Sequence, residues 1–236
     1  MILESQLKIS SADGQSFNSY VATPDVRPPF PAIVLIQEIF GINENMRWTA
    51  KQLAAAGFLV VVPDLFWRVV PGIELDPTDA QDRARAMEIN GSFDSRSGIS
   101  DCRQAVDHVR RLASCNGRVG AVGYCLGGRL AFLLATQGGI DASVCFYPVA
   151  VQPELKTLRV SKVPLLVHLG SDDALCQSEA QLEIKAFVEA EKANRVIIYN
   201  GVGHGFARLG RSGGAATAAE NAESTTREFL RRHLAQ

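Results

Sequence analysis

The sequence carries no excess of charge of either sign: 24 Lys and Arg stand against 25 Asp and Glu. A chain so balanced lacks the basic footprint that nucleic acid or an anionic membrane surface demands, so neither is an expected partner. Long apolar runs are missing too, none approaching the ~20 residues that span a bilayer. The first residues show no basic stretch followed by an apolar one, so a secretory leader is not expected either. Cysteine is sparse and unpatterned. Its five copies are odd in number and include no Cys-x-x-Cys pair, which argues against a disulfide framework, a zinc site and a thioredoxin-type redox motif. A cytoplasmic location follows as the expectation. Low-complexity tracts, repeats and long linkers are absent as well, and 236 residues suffice for a full core, so one domain over residues 1–236 is expected. The expected partner is a small molecule, and the expected assembly is a monomer.

What is present is a regular alternation. Around Leu7 and Ile9, apolar and polar residues alternate up to a turn at Asp13-Gly14, and a second run covers residues 17–22, which predicts an antiparallel hairpin. Apolar runs at 32–36, 58–62, 119–122, 143–147, 165–169 and 196–199 are short and rich in branched residues. They read as strands buried on both faces. Helical periodicity lies between most of them. It is clearest over 100–113, where Cys102, Ala105, Val106, Val109 and Leu112 mark one face and Ser100 stands where a cap belongs. Ala180, Ile184, Phe187 and Val188 mark another face, and Ala218, Ala222, Thr225 and Phe229 a third. This pattern predicts an α/β fold with a mostly parallel central sheet of about seven to eight strands and helices on both faces. Residues 71–98 break the rhythm. They carry no strand signal, and a short helix is expected over 79–90, with Thr78 and Gln81 as a capping box and Arg83 and Met87 on one face.

Between a predicted strand and a predicted helix lies Gly123-Tyr124-Cys125-Leu126-Gly127-Gly128. A strand that turns sharply into a helix puts the side chain between them on an exposed, strained corner, and small neighbours let the backbone close around it. The helix N-terminus adds unpaired N–H groups and the positive end of a dipole, which favour a thiolate at Cys125. Cys102 and Cys145, by contrast, read as inert core residues.

A cysteine nucleophile needs a base and a group that orients the base, and in an elbow of this kind they follow in the order acid, then histidine. His204 lies in Gly203-His204-Gly205-Phe206, after the strand predicted to end at Tyr199. Asp172 and Asp173 follow the strand over 165–169, and spacing does not choose between them. His108, His168 and His233 read as surface or satisfied core residues. Glu38, in Gln37-Glu38-Ile39-Phe40-Gly41, follows the strand over 32–36. That loop and the elbow would supply the backbone N–H groups of Ile39 and Leu126 to an oxyanion hole.

Together these segments resemble the dienelactone hydrolase family of α/β-hydrolase enzymes. The resemblance covers nearly the whole chain: residues 37–41, Pro63-Asp64-Leu65, Leu75-Asp76-Pro77, the cysteine elbow, the Gly170 to Asp173 turn and Gly203-His204-Gly205-Phe206-Ala207-Arg208. It implies a triad of Cys125, His204 and Asp173. It also implies that Glu38 takes the thiol proton only when substrate binds. Arg83 and Arg208 match the family's carboxylate-binding arginines, a pairing suited to a planar anion. The implied substrate is a small anionic lactone, cleaved without metal or organic cofactor. Met87 and Gly205 depart from the family pattern, where an aromatic residue and a serine are expected.

Two rival readings use the same residues. A broader carboxylesterase or thioesterase would be indifferent to the substrate's carboxylate. A redox-sensing protein would use Cys125 as an oxidisable thiol, with no need of Glu38, Asp173 and His204.

Overall fold

The computed structural model describes residues 1–210 and 212–235. Eight strands are hydrogen-bonded in the order β1-β2-β4-β3-β5-β6-β7-β8. They are β1 (Ile2–Ser10), β2 (Ser16–Pro24), β3 (Phe30–Ile36), β4 (Leu59–Pro63), β5 (Cys115–Tyr124), β6 (Ala142–Phe146), β7 (Leu165–Gly170) and β8 (Arg195–Tyr199). The six α-helices among the described residues are α1 (Glu44–Ala55), α2 (Ala80–Gly91), α3 (Ser95–Arg110), α4 (Leu126–Gln137), α5 (Ser178–Val188) and α6 (Gly213–Leu234). None is long and apolar enough to cross a membrane. By its contacts the chain forms two compact units, residues 1–120 and 121–236.

In the first unit, β2 runs antiparallel to both β1 and β4, while β3 and β4 are parallel, with Ile33 opposite Val60. The expected hairpin forms: Ile9 pairs with Phe17, and Gly14 turns the chain at φ 83°. Every residue from Ala32 to Ile36 and from Val60 to Val62 is fully buried. A parallel strand covered on both faces has no solvent side to mark with polar residues, which is why these strands read as unbroken apolar runs. The helix of residues 95–110 starts earlier than its apolar face suggests. Its cap is Asp94, whose carboxylate accepts from the N–H groups of Arg96 and Ser97, and Ser100 lies inside the helix. Likewise α2 is capped by Asp79, which accepts from Gln81 and Asp82, rather than by Thr78. The Thr78 hydroxyl instead donates to Asp76 at 2.7 Å. An acidic side chain competes well for such a place because it is a charged acceptor at the positive end of the helix.

In the second unit, β6, β7 and β8 are parallel, with Cys145 opposite Val167 and Val167 opposite Val196. The buried face of α6 consists of Ala218, Ala222, Thr226, Leu230 and Leu234, a strict four-residue progression. Thr225 and Phe229, expected on that face, lie at its edge and are half-buried. Thr226 is drawn inward because its hydroxyl meets Nε2 of the buried His168 at 3.0 Å, and the Tyr199 hydroxyl meets the ring's Nδ1 at the same distance. His168 is thus a satisfied core histidine, and burial pushes its pKa down to about 3. None of the five cysteines forms a disulfide. Cys102 and Cys145 are fully buried, and burial pushes the Cys145 thiol up to about 12.

Candidate active site

Cys125 sits where β5 ends and α4 begins, at φ 54° and ψ −113°. A left-handed φ is uncommon for a residue with a side chain, and it turns the chain abruptly enough to set Cys125 on the corner. The surrounding glycines are required by contact. A Cβ on Gly123 would lie 2.0 Å from the Gly127 carbonyl oxygen, and one on Gly128 would lie 2.7 Å from the Phe146 oxygen. The Cys125 N–H donates to the Phe146 carbonyl at 3.0 Å, tying the elbow to the end of β6. Leu126 opens α4, so its N–H has no intrahelical acceptor. One turn into that helix, Arg129 Nε donates to Glu154 at 2.9 Å, a second tether of the elbow.

The ends of β7 and β8 are bound together by short polar contacts. Ser171 N–H donates to Tyr199 O at 2.9 Å and Asp172 N–H to Val202 O at 3.0 Å, while Gly201 N–H reaches the Ser171 hydroxyl at 2.9 Å. Gly170 permits this approach, since a Cβ there would be 2.3 Å from the Val202 oxygen. The two adjacent aspartates part company on this frame. Asp172 is exposed and accepts from its neighbour Ser171, whereas Asp173 is buried and its Oδ2 meets His204 Nδ1 at 2.9 Å. The other oxygen, Oδ1, accepts from the Leu175 N–H at 2.8 Å. A carboxylate can only accept, so the imidazole proton sits on Nδ1 and the Nε2 lone pair faces the other way. Nε2 is buried and has no hydrogen-bond partner among the described residues.

Tyr147 was legible only as the end of a strand, yet it packs against this ring. It is fully buried at φ 36°, donates its N–H to His168 O at 2.7 Å, and sets its ring at 64° to His204 with centroids 4.9 Å apart. Its ring also meets Phe206 and Tyr124. No spacing rule signals such a contact, because it depends on two strand ends meeting. Arg208 is half-buried, and its N–H donates to Gly205 O at 3.1 Å.

Within residues 1–120, Glu38 is 1 % exposed at the end of β3, with Ile39 half-buried beside it. Their loop is pinned on both sides. Gln37 Oε1 accepts from Leu65 N–H at 3.3 Å, and Phe40 O accepts from Leu75 N–H at 2.9 Å. Gly41, at φ 76°, allows the 72–75 segment to cross so closely that a Cβ would fall 1.8 Å from Ile73 O. Burying a carboxylate on so pinned a loop is unfavourable for solvation, so Glu38 is not a surface charge left to water. Arg83 is exposed on α2, where its Nη1 donates to the carbonyls of Thr78 at 2.8 Å and Pro77 at 3.2 Å. Met87, one turn on, is 61 % exposed. Among the described residues no cluster of three or more His, Cys, Asp or Glu side chains is placed to hold a metal ion.

Residues 17–234 match the model of the dienelactone hydrolase family. The chain is 38 % identical over 229 residues to the carboxymethylenebutenolidase of Pseudomonas putida, covering 97 % of each. It is 34 % identical to carboxymethylenebutenolidase 1 of Cupriavidus pinatubonensis, again over 97 % of each. Among solved structures, a dienelactone hydrolase-like promiscuous phosphotriesterase from metagenomic libraries superposes with a TM-score of 0.75 at 20 % identity, over 98 % of both chains. That likeness shows the shared fold, an α/β-hydrolase sheet, and the sequence match goes further: the chain belongs to the dienelactone hydrolase family, whose members are hydrolases.

Proposed function

We propose that this enzyme hydrolyses a dienelactone, 4-carboxymethylenebut-2-en-4-olide, to maleylacetate through a thioester on Cys125. The observation that carries the reading is the state of His204. Its Nδ1 is held by the buried Asp173 while its Nε2 is buried and unbonded, an oriented base awaiting a proton donor. In this scheme the substrate's carboxylate docks between Arg83 and Arg208 and brings the lactone carbonyl to Cys125. Glu38 takes the thiol proton, and the thiolate attacks. The N–H groups of Ile39 and Leu126 stabilise the oxyanion, and collapse opens the ring to an enolate and a thioester. The proton on Glu38 passes to the enolate to give the ketone. Water, activated by His204 with Asp173 behind it, then hydrolyses the thioester, and the proton taken up by His204 returns to the departing thiolate. Neither metal nor organic cofactor enters the cycle.

Gating by substrate is supported by the burial of Glu38, a carboxylate placed at the end of β3. The test follows the loss of dienelactone ultraviolet absorbance with wild type, Glu38→Gln and Cys125→Ala. Both variants should stay folded and lose turnover. Full turnover by Cys125→Ala would overturn the nucleophile, and full turnover by Glu38→Gln would overturn the gate alone. Turnover of a neutral ester in Arg83→Ala separates this reading from a broader esterase, because equal losses on both substrates would count against the clamp.

A further inference from the structure

The buried face of α5 begins with an amide where the helical period calls for an apolar residue. Gln181, Ile184 and Val188 are its buried positions, and Gln181 is 3 % exposed. A carboxamide so enclosed is unfavourable unless its hydrogens are used, and here one nitrogen serves two acceptors. Gln181 Nε2 donates to Gly170 O at 2.9 Å and to Cys176 O at 2.6 Å. Gly170 closes β7 and Cys176 lies just ahead of α5, so the two carbonyls bracket residues 171–175. A side chain in the first turn of a helix leans toward the helix N-terminus, which carries the amide back to that segment. Asp173 stands in the middle of the bracket. Its N–H donates to Gly170 O at 3.2 Å, its carbonyl accepts from the Cys176 N–H at 3.1 Å, and its Oδ1 accepts from the Leu175 N–H. Gln177 at the N-cap makes no side-chain capping bond, so the tie between α5 and this turn comes from Gln181 instead.

We propose that Gln181 is a positioning residue for the second half of the reaction, acting through Asp173 on His204. Asp173 reaches the ring from a turn whose two ends are held by one planar amide. Neither end can swing without breaking a hydrogen bond in a buried site, where an unmade bond is costly. Releasing the two carbonyls lets the turn relax, disturbs the 2.9 Å contact between Asp173 Oδ2 and His204 Nδ1, and leaves the ring free to rotate. Attack on the lactone is untouched, because in the proposed cycle Glu38 takes that proton. Hydrolysis of the thioester slows, because there His204 must draw the proton from water. The inference rests on the proposed function, in which the two steps use different bases.

The experiment compares wild type, Gln181→Met, Asp173→Asn and the double variant during turnover of the dienelactone. Samples are quenched in acid, and intact-mass spectrometry reads the share of chains carrying the acyl group on Cys125. Methionine fills the space of glutamine without its N–H donors. Gln181→Met should lower kcat by roughly ten- to a hundredfold, the range expected of an ångström-scale misplacement, and should carry the acyl group on a larger share of its chains than wild type does. Its kcat/KM, which covers the steps up to ring opening, should hold, so KM falls together with kcat. Asp173→Asn should accumulate the acyl-enzyme more strongly, and adding Gln181→Met to it should bring little further loss. A chain that merely folds badly loses kcat/KM as well and gains no acyl group. Gln181→Glu, which keeps the polar end and loses only the N–H donors, repeats the test should methionine disturb the fold. Loss of kcat/KM in step with kcat in both variants, or no accumulation where Asp173→Asn shows it, would overturn the role of Gln181. No accumulation in Asp173→Asn either would overturn the two-base cycle itself, and the step assigned to Gln181 with it.

Discussion

Asp173 holds His204 by a 2.9 Å hydrogen bond from a side chain that is only 1 % exposed. Its neighbour Asp172 is exposed and accepts a hydrogen bond from the Ser171 hydroxyl. Two residues with the same chemistry, one peptide bond apart, are separated in role by the way the turn after β7 is strapped beneath the loop after β8. Leu175 N–H occupies one oxygen of Asp173 and leaves the other for the ring, so the imidazole has one tautomer and one orientation.

Replacing Asp173 by Asn should therefore cost far more than replacing Asp172. An amide can offer its NH₂ to Nδ1 and invert the tautomer, and kcat should fall by roughly 10³- to 10⁴-fold. Asp172→Asn, an exposed change, should stay within about twofold. Steady-state turnover of the two variants beside wild type decides the matter, and similar losses would show that the turn, not the hydrogen bond, is what counts.

Tyr147→Ala removes a fully buried ring that packs on His204, Phe206 and Tyr124. The cavity should lower stability by about 3–5 kcal/mol, and the unsupported imidazole should lower kcat beyond what the remaining folded fraction explains. Tyr147→Phe keeps the ring and should retain most turnover. Urea denaturation with parallel kinetics checks both, and a loss of stability with unchanged kcat would reduce Tyr147 to a core residue.

His168 predicts a pH dependence of stability. Its folded pKa lies near 3, against about 6.5 when unfolded, because burial disfavours the charged ring and Arg195 adds repulsion. The unfolded chain thus binds a proton that the folded chain refuses. Its contribution to stability is complete above the unfolded pKa and falls as pH drops from about 6.5 toward 3, with a slope of up to about 1.4 kcal/mol per pH unit. Denaturation midpoints at pH 7 and pH 5 should converge for His168→Gln relative to wild type. A variant with the full wild-type slope would rule His168 out as its source.

Much of this organisation is legible in the chain. Short branched runs announce the buried strands, because a strand covered on both faces tolerates no polar interruption, and the glycines around Cys125 announce the elbow. Helix starts are harder to read. Asp94 and Asp79 cap their helices from beyond the first apolar residue, while the apolar pattern points to Ser100 and Thr78. The inner face of α6 was misplaced by one residue at two positions because Thr226 is drawn in by a histidine 58 residues earlier, a contact without local periodicity.

The sequence by itself determined the elbow, its cysteine, the order of acid before histidine and the alternation that builds the sheet, since each depends on residues near one another in the chain. Spacing leaves Asp172 and Asp173 open and the family resemblance points to Asp173, which the tertiary structure brings to His204. Tertiary structure alone decided that the ring's second nitrogen has no hydrogen-bond partner among the described residues and that Tyr147 packs against the ring. Those outcomes depend on strand ends brought together from distant parts of the chain, where sub-ångström differences in approach decide which side chain fits, and no spacing in the sequence encodes that.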